Sequence, residues 1–201
     1  MDEEDHIRIV REGYDKIAHL YHAERDTFDI SRILEDFMSS VTPGGHILDA
    51  GCGAGVPVAS ALVDSGFQVT GIDISESMLK LARKHVPAAT FLLQDMTKLQ
   101  FDPETFDGII STYAVIHVPK ALHAEVFRRF YITLKPNGRL LVSLSQNEWE
   151  NIGEYFREPM FWSHHDQDTS LEIIEDAGFR IIWSRVIQIR DEHPFWVMAE
   201  K

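Results

Sequence analysis

Residues 47–55 read Ile-Leu-Asp-Ala-Gly-Cys-Gly-Ala-Gly, so that Gly51, Gly53 and Gly55 occupy alternate positions after an apolar stretch. Glycine accepts positive φ angles and, because it lacks a Cβ, lets the backbone approach a ligand closely. Three of the 12 glycines in the chain lie within these five positions. The pattern predicts a tight turn that faces a ligand, and it indicates a nucleotide-like cofactor as the occupant.

A second chemically capable group ends the next β-prone segment, residues 68–72. Asp73 lies 20 positions after Gly53, the spacing at which a second strand brings a carboxylate to a ribose in nucleotide-binding folds. An acid there can accept hydrogen bonds from both ribose hydroxyls. Asp73 could instead cap the following helix, but Ser75 opens a better helix start, Ser-Glu-Ser-Met. We therefore assign ribose binding to Asp73 and capping to Ser75.

Two cofactor classes share this geometry. A dinucleotide fingerprint needs a glycine at its sixth position, where this chain has Val56 when counted from Gly51. Asp49, two residues before Gly51, would also repel a diphosphate. S-adenosylmethionine carries a sulfonium and an ammonium group, and an acid at this strand end suits that charge. The loop therefore favours S-adenosylmethionine over NAD.

Residues 47–143 resemble the class I S-adenosylmethionine-dependent methyltransferases. Five segments carry the resemblance in the order of the family motifs: 49–55, 71–75, 94–96, 106–111 and 134–142. The resemblance implies that Asp73 holds the ribose and that Asp95 accepts a hydrogen bond from the adenine amino group beside Met96. Each motif is weak by itself, and their order makes the set specific.

The remaining pattern predicts one α/β domain over residues 1–201. Strand and helix segments alternate, which indicates a parallel sheet with helices on both faces. We predict strands at 46–49, 68–72, 90–93, 106–111, 139–144, 180–189 and 195–200, with helices at 56–65, 78–85, 119–133 and 169–177. The link 190–194 indicates a hairpin, so the last strand would be antiparallel. The resemblance implies a Rossmann-like three-layer sandwich with a seven-stranded, mostly parallel sheet.

Four functional segments divide this domain. Apolar periodicity predicts two N-terminal helices, residues 7–20 and 28–38, within a helical lid over residues 1–41. Residues 42–145 would form the cofactor-binding core, and 171–201 the C-terminal helix and strand pair. The aromatic-rich segment 146–170 is predicted to be a substrate cap, although its aromatic side chains could equally form the core of a small lid.

The predicted cofactor site gathers groups at the carboxyl ends of the strands, where ligands bind in open α/β sheets. It also includes apolar side chains, which could instead be ordinary core. In similar methyltransferases the N-terminal segment closes over the methionine end of the cofactor. This implies that Tyr21 and Arg25 meet its carboxylate, although Arg25 could be a solvated surface residue. The set is Tyr21, Arg25, Asp49, Ala50, Gly51, Gly53, Asp73, Ile74, Met78, Asp95, Met96 and Ser111.

Methyl transfer depends more on the orientation of the acceptor than on reactive side chains, since the sulfonium is already a good leaving group. A general base is needed only for an acceptor that carries a proton. His117, six residues after Ser111, is the candidate base because its intrinsic pKa is near neutral. Tyr113 is the candidate substrate contact. A packed, hydrogen-bonded loop histidine is the alternative for His117, and helix packing is the favoured role for Tyr14.

Charge and composition limit the partners. The 201 residues contain 32 acids and 19 Lys or Arg, a formal net charge of -13. No run of consecutive Lys or Arg residues is longer than two, as in the pair Arg128-Arg129. Neither nucleic acid nor an anionic membrane is therefore an expected partner. No apolar run approaches the length of a membrane span. The acidic start Met-Asp-Glu-Glu-Asp is not a secretory signal, and we expect a cytoplasmic protein.

Two further features are not assigned a site. Cys52 is the only cysteine, which excludes an internal disulfide, and a small buried filler is the better interpretation than a reactive thiol. His164-His165-Asp166 resembles a metal motif, but neighbouring histidines rarely converge on one ion, so we predict no metal site.

The sequence thus predicts a methyltransferase with a small-molecule substrate and an unassigned acceptor atom; it does not specify an oligomeric state. Residues 112–115, Thr-Tyr-Ala-Val, differ from the Asn-Pro-Pro-Tyr type found where amide or nucleobase nitrogen is methylated. Two alternatives stay open: a catalytically silent S-adenosylmethionine-binding protein and, less favoured, an NAD-dependent oxidoreductase.

Overall fold

The structure is a computed structural model that describes the backbone of residues 3–25 and 28–201 and the side chains of residues 4–24 and 28–201. Its strands are β1 (His46–Ala50), β2 (Gln68–Asp73), β3 (Thr90–Leu93), β4 (Phe106–Ser111), β5 (Leu134–Leu144), β6 (Trp149–Tyr155), β7 (Glu158–His164), β8 (Arg180–Val186) and β9 (Phe195–Glu200). Its α-helices are α1 (Glu3–Arg25), α2 (Ser31–Ser40), α3 (Val58–Asp64), α4 (Glu76–His85), α5 (His123–Thr133) and α6 (Gln167–Asp176).

Seven strands form the main sheet in the order β3-β2-β1-β4-β5-β9-β8. The first five in this order pair in parallel, while β9 is antiparallel to both β5 and β8. The predicted seven-stranded, mostly parallel sheet with an antiparallel last strand is therefore confirmed. The strand order reverses between β1 and β4, which is where ligands bind in folds of this kind.

The central strands are buried on both faces, which gives the molecule three layers. Ile47 of β1 and Ile110 of β4 pack into one core with α2, α3 and α4. Leu48 and Ile109, their chain neighbours, pack into a second core with α5 and α6. Successive side chains of a strand point to opposite faces. Continuous apolar runs in β1 and β4 are thus the pattern that a sheet covered by helices on both faces requires.

Several predicted boundaries are wrong by a few residues, for two local reasons. The predicted helix 56–65 begins only at Val58, and the predicted helix 119–133 begins with a 3₁₀ turn at residues 120–122 before α5. Val56 precedes Pro57, and proline disfavours helical conformation in the residue before it. Pro119 itself has a ψ of 127°, so it lies outside the helix. The predicted strand 180–189 ends at Val186, because the chain then turns back through Arg190, which has a φ of 57°.

The segment 146–168 contains a hairpin that the sequence did not predict. Strands β6 and β7 pair as a separate two-stranded sheet, and its turn residues Phe156 and Arg157 both have positive φ, 49° and 66°. Two-residue hairpin turns of this kind usually carry Asn-Gly or similar pairs, so Phe-Arg gave no signal. Met160 and Phe161 of β7 are buried against Ile17 and Val10 of α1.

None of the helices within residues 3–25 and 28–201 combines the length and the apolar character needed to cross a membrane.

Candidate functional site

A deep cleft lies at the carboxyl ends of β1, β2 and β4, roofed by α1. Its larger cavity has an empty volume of about 660 Å³ including its open mouth, and the adjoining cavity about 530 Å³. Tyr21, Gly51, Gly53, Thr112 and Tyr113 line both cavities. The sheet edge, the glycine loop and the N-terminal helix therefore meet in one place.

The glycine loop forms the floor of this cleft. Gly51 and Gly53 have φ angles of +80° and +51°. A Cβ on Gly51 would lie 2.2 Å from the Cβ of Ala114, whereas a Cβ on Gly53 would meet nothing within 4 Å. Position 51 therefore requires glycine, because the segment after β4 passes so close that Ala114 would collide with any side chain there. Gly53 leaves open space that a ligand could fill.

Asp73 ends β2 and ties the loop to helix α4. Its Oδ2 accepts a hydrogen bond from the Gly53 backbone N–H at 2.9 Å, and its Oδ1 accepts one from the Ser75 N–H at 2.9 Å. An ionised carboxylate has about four acceptor positions, so capacity for hydroxyl donors remains on a residue that lines the cavity. Burial raises the pKa of Asp73 to about 6, against the opposing effect of its backbone hydrogen bonds.

Helix α4 starts as the sequence predicted. The Ser75 hydroxyl oxygen accepts a hydrogen bond from the Met78 N–H at 3.1 Å, which makes Ser75 the N-cap. The capping role of Ser75 is confirmed. Asp73 is thereby left to hold the glycine loop and face the cavity.

Asp49 is the most unusual group near the loop. It is 1% exposed, and neither carboxylate oxygen has a hydrogen-bond partner among the described residues. Burial, and then the charge of Asp73, raise the pKa of Asp49 to about 8. A buried acid without partners is costly in its charged form. A cationic group nearby would reverse that cost, so Asp49 fits a ligand with an ammonium or sulfonium charge, although it does not itself line either cavity.

The predicted adenine end is assembled on one wall. Ile74, Met78, Asp95 and Met96 all line the larger cavity. One oxygen of Asp95 accepts hydrogen bonds from the N–H and the hydroxyl of Thr97, both at 2.8 Å, and so holds the carboxylate in place. The sequence missed Ile72 and Gln94, which also line this wall. Each precedes a predicted site residue in the sequence, Asp73 or Asp95, and this adjacency could have indicated that they line the cavity.

Two predicted cofactor residues lie behind the wall. Ala50 is fully buried in the core, and the Ser111 hydroxyl donates a hydrogen bond to the Ala50 carbonyl oxygen at 2.7 Å. Neither side chain is among the cavity-lining groups. Their contribution is to join β1 to β4 beneath the cleft.

Helix α1 covers the cleft from the N-terminal side. Tyr21, the predicted contact of the methionine end, lines both cavities, while the side chain of Arg25 lies outside the described residues. An unpredicted contact fixes the helix: one oxygen of Asp15 accepts hydrogen bonds from the Ser75 hydroxyl at 2.7 Å and from the Ser77 N–H at 3.0 Å. Asp15 therefore fastens the roof to the N-terminus of α4, where an acid is favoured.

His117 and Tyr113 both line the larger cavity. His117 Nδ1 lies 2.7 Å from the Phe161 carbonyl oxygen, and its Nε2 lies 2.8 Å from the Tyr14 hydroxyl. Tyr113 has a φ of 55°, a backbone conformation that bulky residues rarely adopt, and its N–H donates to the Ser143 hydroxyl at 2.6 Å. Strained residues of this kind cluster at ligand sites. Tyr14, predicted to serve helix packing, packs against two apolar clusters and also lines the cavity with His117.

Cys52 lines the adjoining cavity, but its environment does not suit a reactive thiol. Cys52 is buried, and burial together with the nearby Asp49 and Asp73 holds the pKa of its thiol well above the usual value. In the described part of the chain, no three His, Cys, Asp or Glu side chains converge as a metal site.

Residues 47–138 match the family model described as a methyltransferase domain. These residues are a methyltransferase domain. The resemblance that the glycine loop and the four later motifs indicated is thereby confirmed, and it includes the loop that carries Gly51 and Gly53.

Curated relatives extend this finding. A 24-methylenesterol C-methyltransferase 3 of Arabidopsis thaliana is 37% identical over 136 residues, 63% of this chain and 36% of the relative. A demethylmenaquinone methyltransferase of Symbiobacterium thermophilum is 34% identical over 154 residues, 69% of this chain and 59% of the relative. The methyltransferase domain and its flanks thus span less than two thirds of these two proteins.

A solved structure confirms the fold. The 1,6-didemethyltoxoflavin-N1-methyltransferase of Burkholderia thailandensis, with bound 1,6-didemethyltoxoflavin and S-adenosylhomocysteine, superimposes with a TM-score of 0.80. The match covers 100% of this chain and 91% of that one, at 16% identity. At this identity the likeness establishes the architecture alone.

Proposed function

We propose that this protein transfers the methyl group of S-adenosylmethionine to a small-molecule nucleophile. The observation that carries the proposal is a pair of acids around one glycine loop. Asp73 faces the cavity with acceptor capacity for two ribose hydroxyls, and Asp49 is a buried carboxyl group without a hydrogen-bond partner among the described residues. Together they fit a ligand with a ribose and a positive charge. A diphosphate cofactor would be repelled by each of these acids when it is ionised.

The remaining site residues have separate tasks in this proposal. Asp95 would accept a hydrogen bond from the adenine amino group while Ile74, Met78 and Met96 pack around the adenosine, and Tyr21 would contact the methionine end. Once bound, the cofactor supplies an electrophilic methyl group on a sulfonium. Helix α1, fastened through Asp15, would exclude water and hold the acceptor in line, which is the main source of acceleration expected for such a reaction.

Two side chains are proposed to act on the acceptor. His117 would take a proton at Nε2 when the acceptor carries one, and Tyr113 would contact the acceptor directly. Both line the larger cavity. Ser111, Ala50 and Arg25 remain predictions as cofactor contacts. A small-molecule partner, rather than nucleic acid, stays a prediction that the net charge of -13 supports. The cytoplasmic location also stays a prediction.

Thermal-shift measurements test the cofactor, because a ligand that binds only the native state raises its melting temperature. We expect S-adenosylhomocysteine to raise the melting temperature and NADH to leave it unchanged. Stabilisation by NADH alone would reject the proposal in favour of an oxidoreductase.

A methyl-transfer screen with labelled S-adenosylmethionine across phenols, amines, thiols and carboxylates tests the activity. Turnover of at least one acceptor class is the expected result. Tight binding of S-adenosylhomocysteine without turnover on the whole panel would instead support the catalytically silent binding protein.

A further inference from the structure

We propose that the methyl acceptor is an uncharged, mainly apolar molecule whose nucleophile is a phenol-type hydroxyl, and that His117 removes its proton. This inference rests on the proposed methyl transfer and names the substrate class for the same site. The part of the cavity around Tyr14 and His117 is called the acceptor end below.

The walls of the acceptor end are apolar. Val10 of α1 and Ala114 and Val118 of the segment after β4 line the cavity beside Tyr14 and His117. Among the described residues that line the cavity, the charged side chains are Asp73 and Asp95, and neither lysine nor arginine is present. Burying an ionised group without a partner is strongly unfavourable. An acceptor with a carboxylate or phosphate would meet that cost here.

Two lysines on elements that surround the acceptor end are already paired. The Lys16 ammonium on α1 lies 2.7 Å from a Glu158 carboxylate oxygen. The Lys120 ammonium, after the His117 segment, lies 2.6 Å from a Glu148 carboxylate oxygen. Recruiting either one for an anionic acceptor would break an existing ion pair.

The hydrogen bonds of His117 fix which nitrogen can accept a proton. A carbonyl oxygen only accepts, so the contact with Phe161 requires that Nδ1 carries a hydrogen. In the neutral ring Nε2 is then the acceptor, and it receives the Tyr14 hydroxyl at 2.8 Å. His117 is 8% exposed, so competition from water is limited. The base nitrogen therefore faces Tyr14, which lines the cavity together with His117, and a phenol is already bonded to it.

That Tyr14 contact shows the geometry in which a phenol fits this nitrogen. An acceptor hydroxyl could take the place of the Tyr14 hydroxyl, or pass its proton through it. A phenol has a pKa of about 10 and an imidazolium about 6.5, a gap of roughly 3.5 units. Water, as a model for an aliphatic hydroxyl, has a pKa far above that of a phenol. The histidine is thus matched to a phenol and poorly matched to an alcohol.

The step balances without another reactant. The acceptor oxygen forms a bond to the methyl carbon while the carbon–sulfur bond breaks, and that electron pair stays on sulfur to give the neutral thioether. The hydroxyl proton moves to His117 Nε2, which becomes an imidazolium and later loses the proton to solvent.

A matched set of naphthalene acceptors tests the class. The set is 2-naphthol, 6-hydroxy-2-naphthoate, 2-naphthalenemethanol and 2-naphthylmethylamine, each assayed with labelled S-adenosylmethionine and the full chain. We expect kcat/KM for 2-naphthol to exceed that of each of the other three at least tenfold. Equal or faster turnover of the carboxylate, the alcohol or the amine would overturn the inference and leave the proposed methyl transfer intact.

A pair of variants tests the base. His117→Asn should lower kcat with 2-naphthol about 100-fold, the low end of general-base effects, with S-adenosylhomocysteine affinity unchanged within about twofold. The defect should shrink with 6-cyano-2-naphthol, which ionises more readily, whereas a merely structural role would give the same defect for both. Tyr14→Phe should be milder than His117→Asn. If S-adenosylhomocysteine binds but no acceptor in the set is methylated, the proposed acceptor class fails, whereas the proposed function fails only if the wider methyl-transfer screen also shows no turnover. Absent cofactor binding would reject the function at its first step.

Discussion

The two ends of the cleft are built from contacts of very different range. At the glycine-loop end, formed by Asp49, Gly51, Gly53 and Asp73, the decisive hydrogen bond joins residues 20 positions apart. At the acceptor end, Tyr14 and His117 are 103 positions apart, and His117 and Phe161 are 44 apart. The glycine-loop end is one strand-helix-strand unit, so its sequence can be recognised as a motif. The second end exists only after α1 and the β6–β7 hairpin have packed.

This difference separates cofactor chemistry from substrate chemistry. A local unit can be shared by many proteins, while elements brought from distant parts of the chain can vary around it. We therefore expect the glycine-loop end to behave as a rigid unit, and α1 to behave as a roof that depends on its contacts with α4.

Gly51→Ala should have the largest effect. Its Cβ would lie 2.2 Å from the Ala114 Cβ at a φ of +80°, so we expect a loss of about 3 kcal/mol or more in the free energy of unfolding, from strain and overpacking. Gly53→Ala is the matched control, since its Cβ meets nothing within 4 Å and only the positive φ costs about 1 kcal/mol. Urea denaturation measures both. Equal losses in the free energy of unfolding would show that the close approach of Ala114 does not constrain the loop.

The ionisation of Asp49 should make the ligand-free protein less stable as pH rises. Its pKa is about 8 in the folded protein against 3.8 as the ordinary value, so the native state holds an extra proton between these limits. Stability is then fully present below about pH 4 and is lost toward pH 8, by at most roughly 1.4 kcal/mol per pH unit.

Urea denaturation at pH 6 and pH 8 checks this, with Asp49→Asn as the comparison. The wild-type protein should lose roughly 2 kcal/mol more than the variant between the two values. The raised pKa of Asp73, about 6, acts in the same direction in both proteins. An identical pH dependence in the variant would remove Asp49 as the source.

Asp73→Ala should weaken S-adenosylhomocysteine binding at least tenfold, because it removes the ribose acceptor and the hydrogen bond to Gly53. A tenfold change corresponds to about 1.4 kcal/mol. Asp64→Ala, at an exposed acid on α3, is the control and should bind normally. Calorimetry that finds unchanged affinity for the Asp73 variant would eliminate the ribose assignment.

Asp15→Ala should have the smallest effect and belongs to the roof. It removes the two hydrogen bonds that fasten α1 to the start of α4, an interaction similar to a helix cap, worth about 1 kcal/mol. We expect several-fold weaker binding of S-adenosylhomocysteine. Glu12→Ala, an exposed acid of the same helix, should leave the affinity unchanged. A matching loss in both variants would mean that general charge, rather than the fastening of the roof, controls affinity.

Sequence reasoning succeeded where a residue's role follows from its own segment. The parallel core, the antiparallel β9 and the Ser75 cap all follow from apolar periodicity, turn residues and capping chemistry within a few positions. The β6–β7 hairpin was missed because its positive-φ turn is made by Phe156 and Arg157, which carry no turn signal.

The site divides in the same way. Asp73, Asp95 and Met96 reach the cavity because strand ends meet at one edge of the sheet. Ser111 also lies at a strand end, but its hydroxyl donates a hydrogen bond to the Ala50 carbonyl oxygen. This contact depends on the orientation of the side chain. The partnership of Tyr14 with His117 depends on how α1 docks, and no pattern within either segment specifies that.

A structure with bound S-adenosylhomocysteine tests the central claim most directly. The account predicts both ribose hydroxyls within hydrogen-bond distance of the Asp73 carboxylate, the adenine amino group at Asp95, and the sulfur opening toward Tyr14 and His117. A ligand seated elsewhere, or one whose ribose avoids Asp73 while its sulfur faces away from His117, would contradict it.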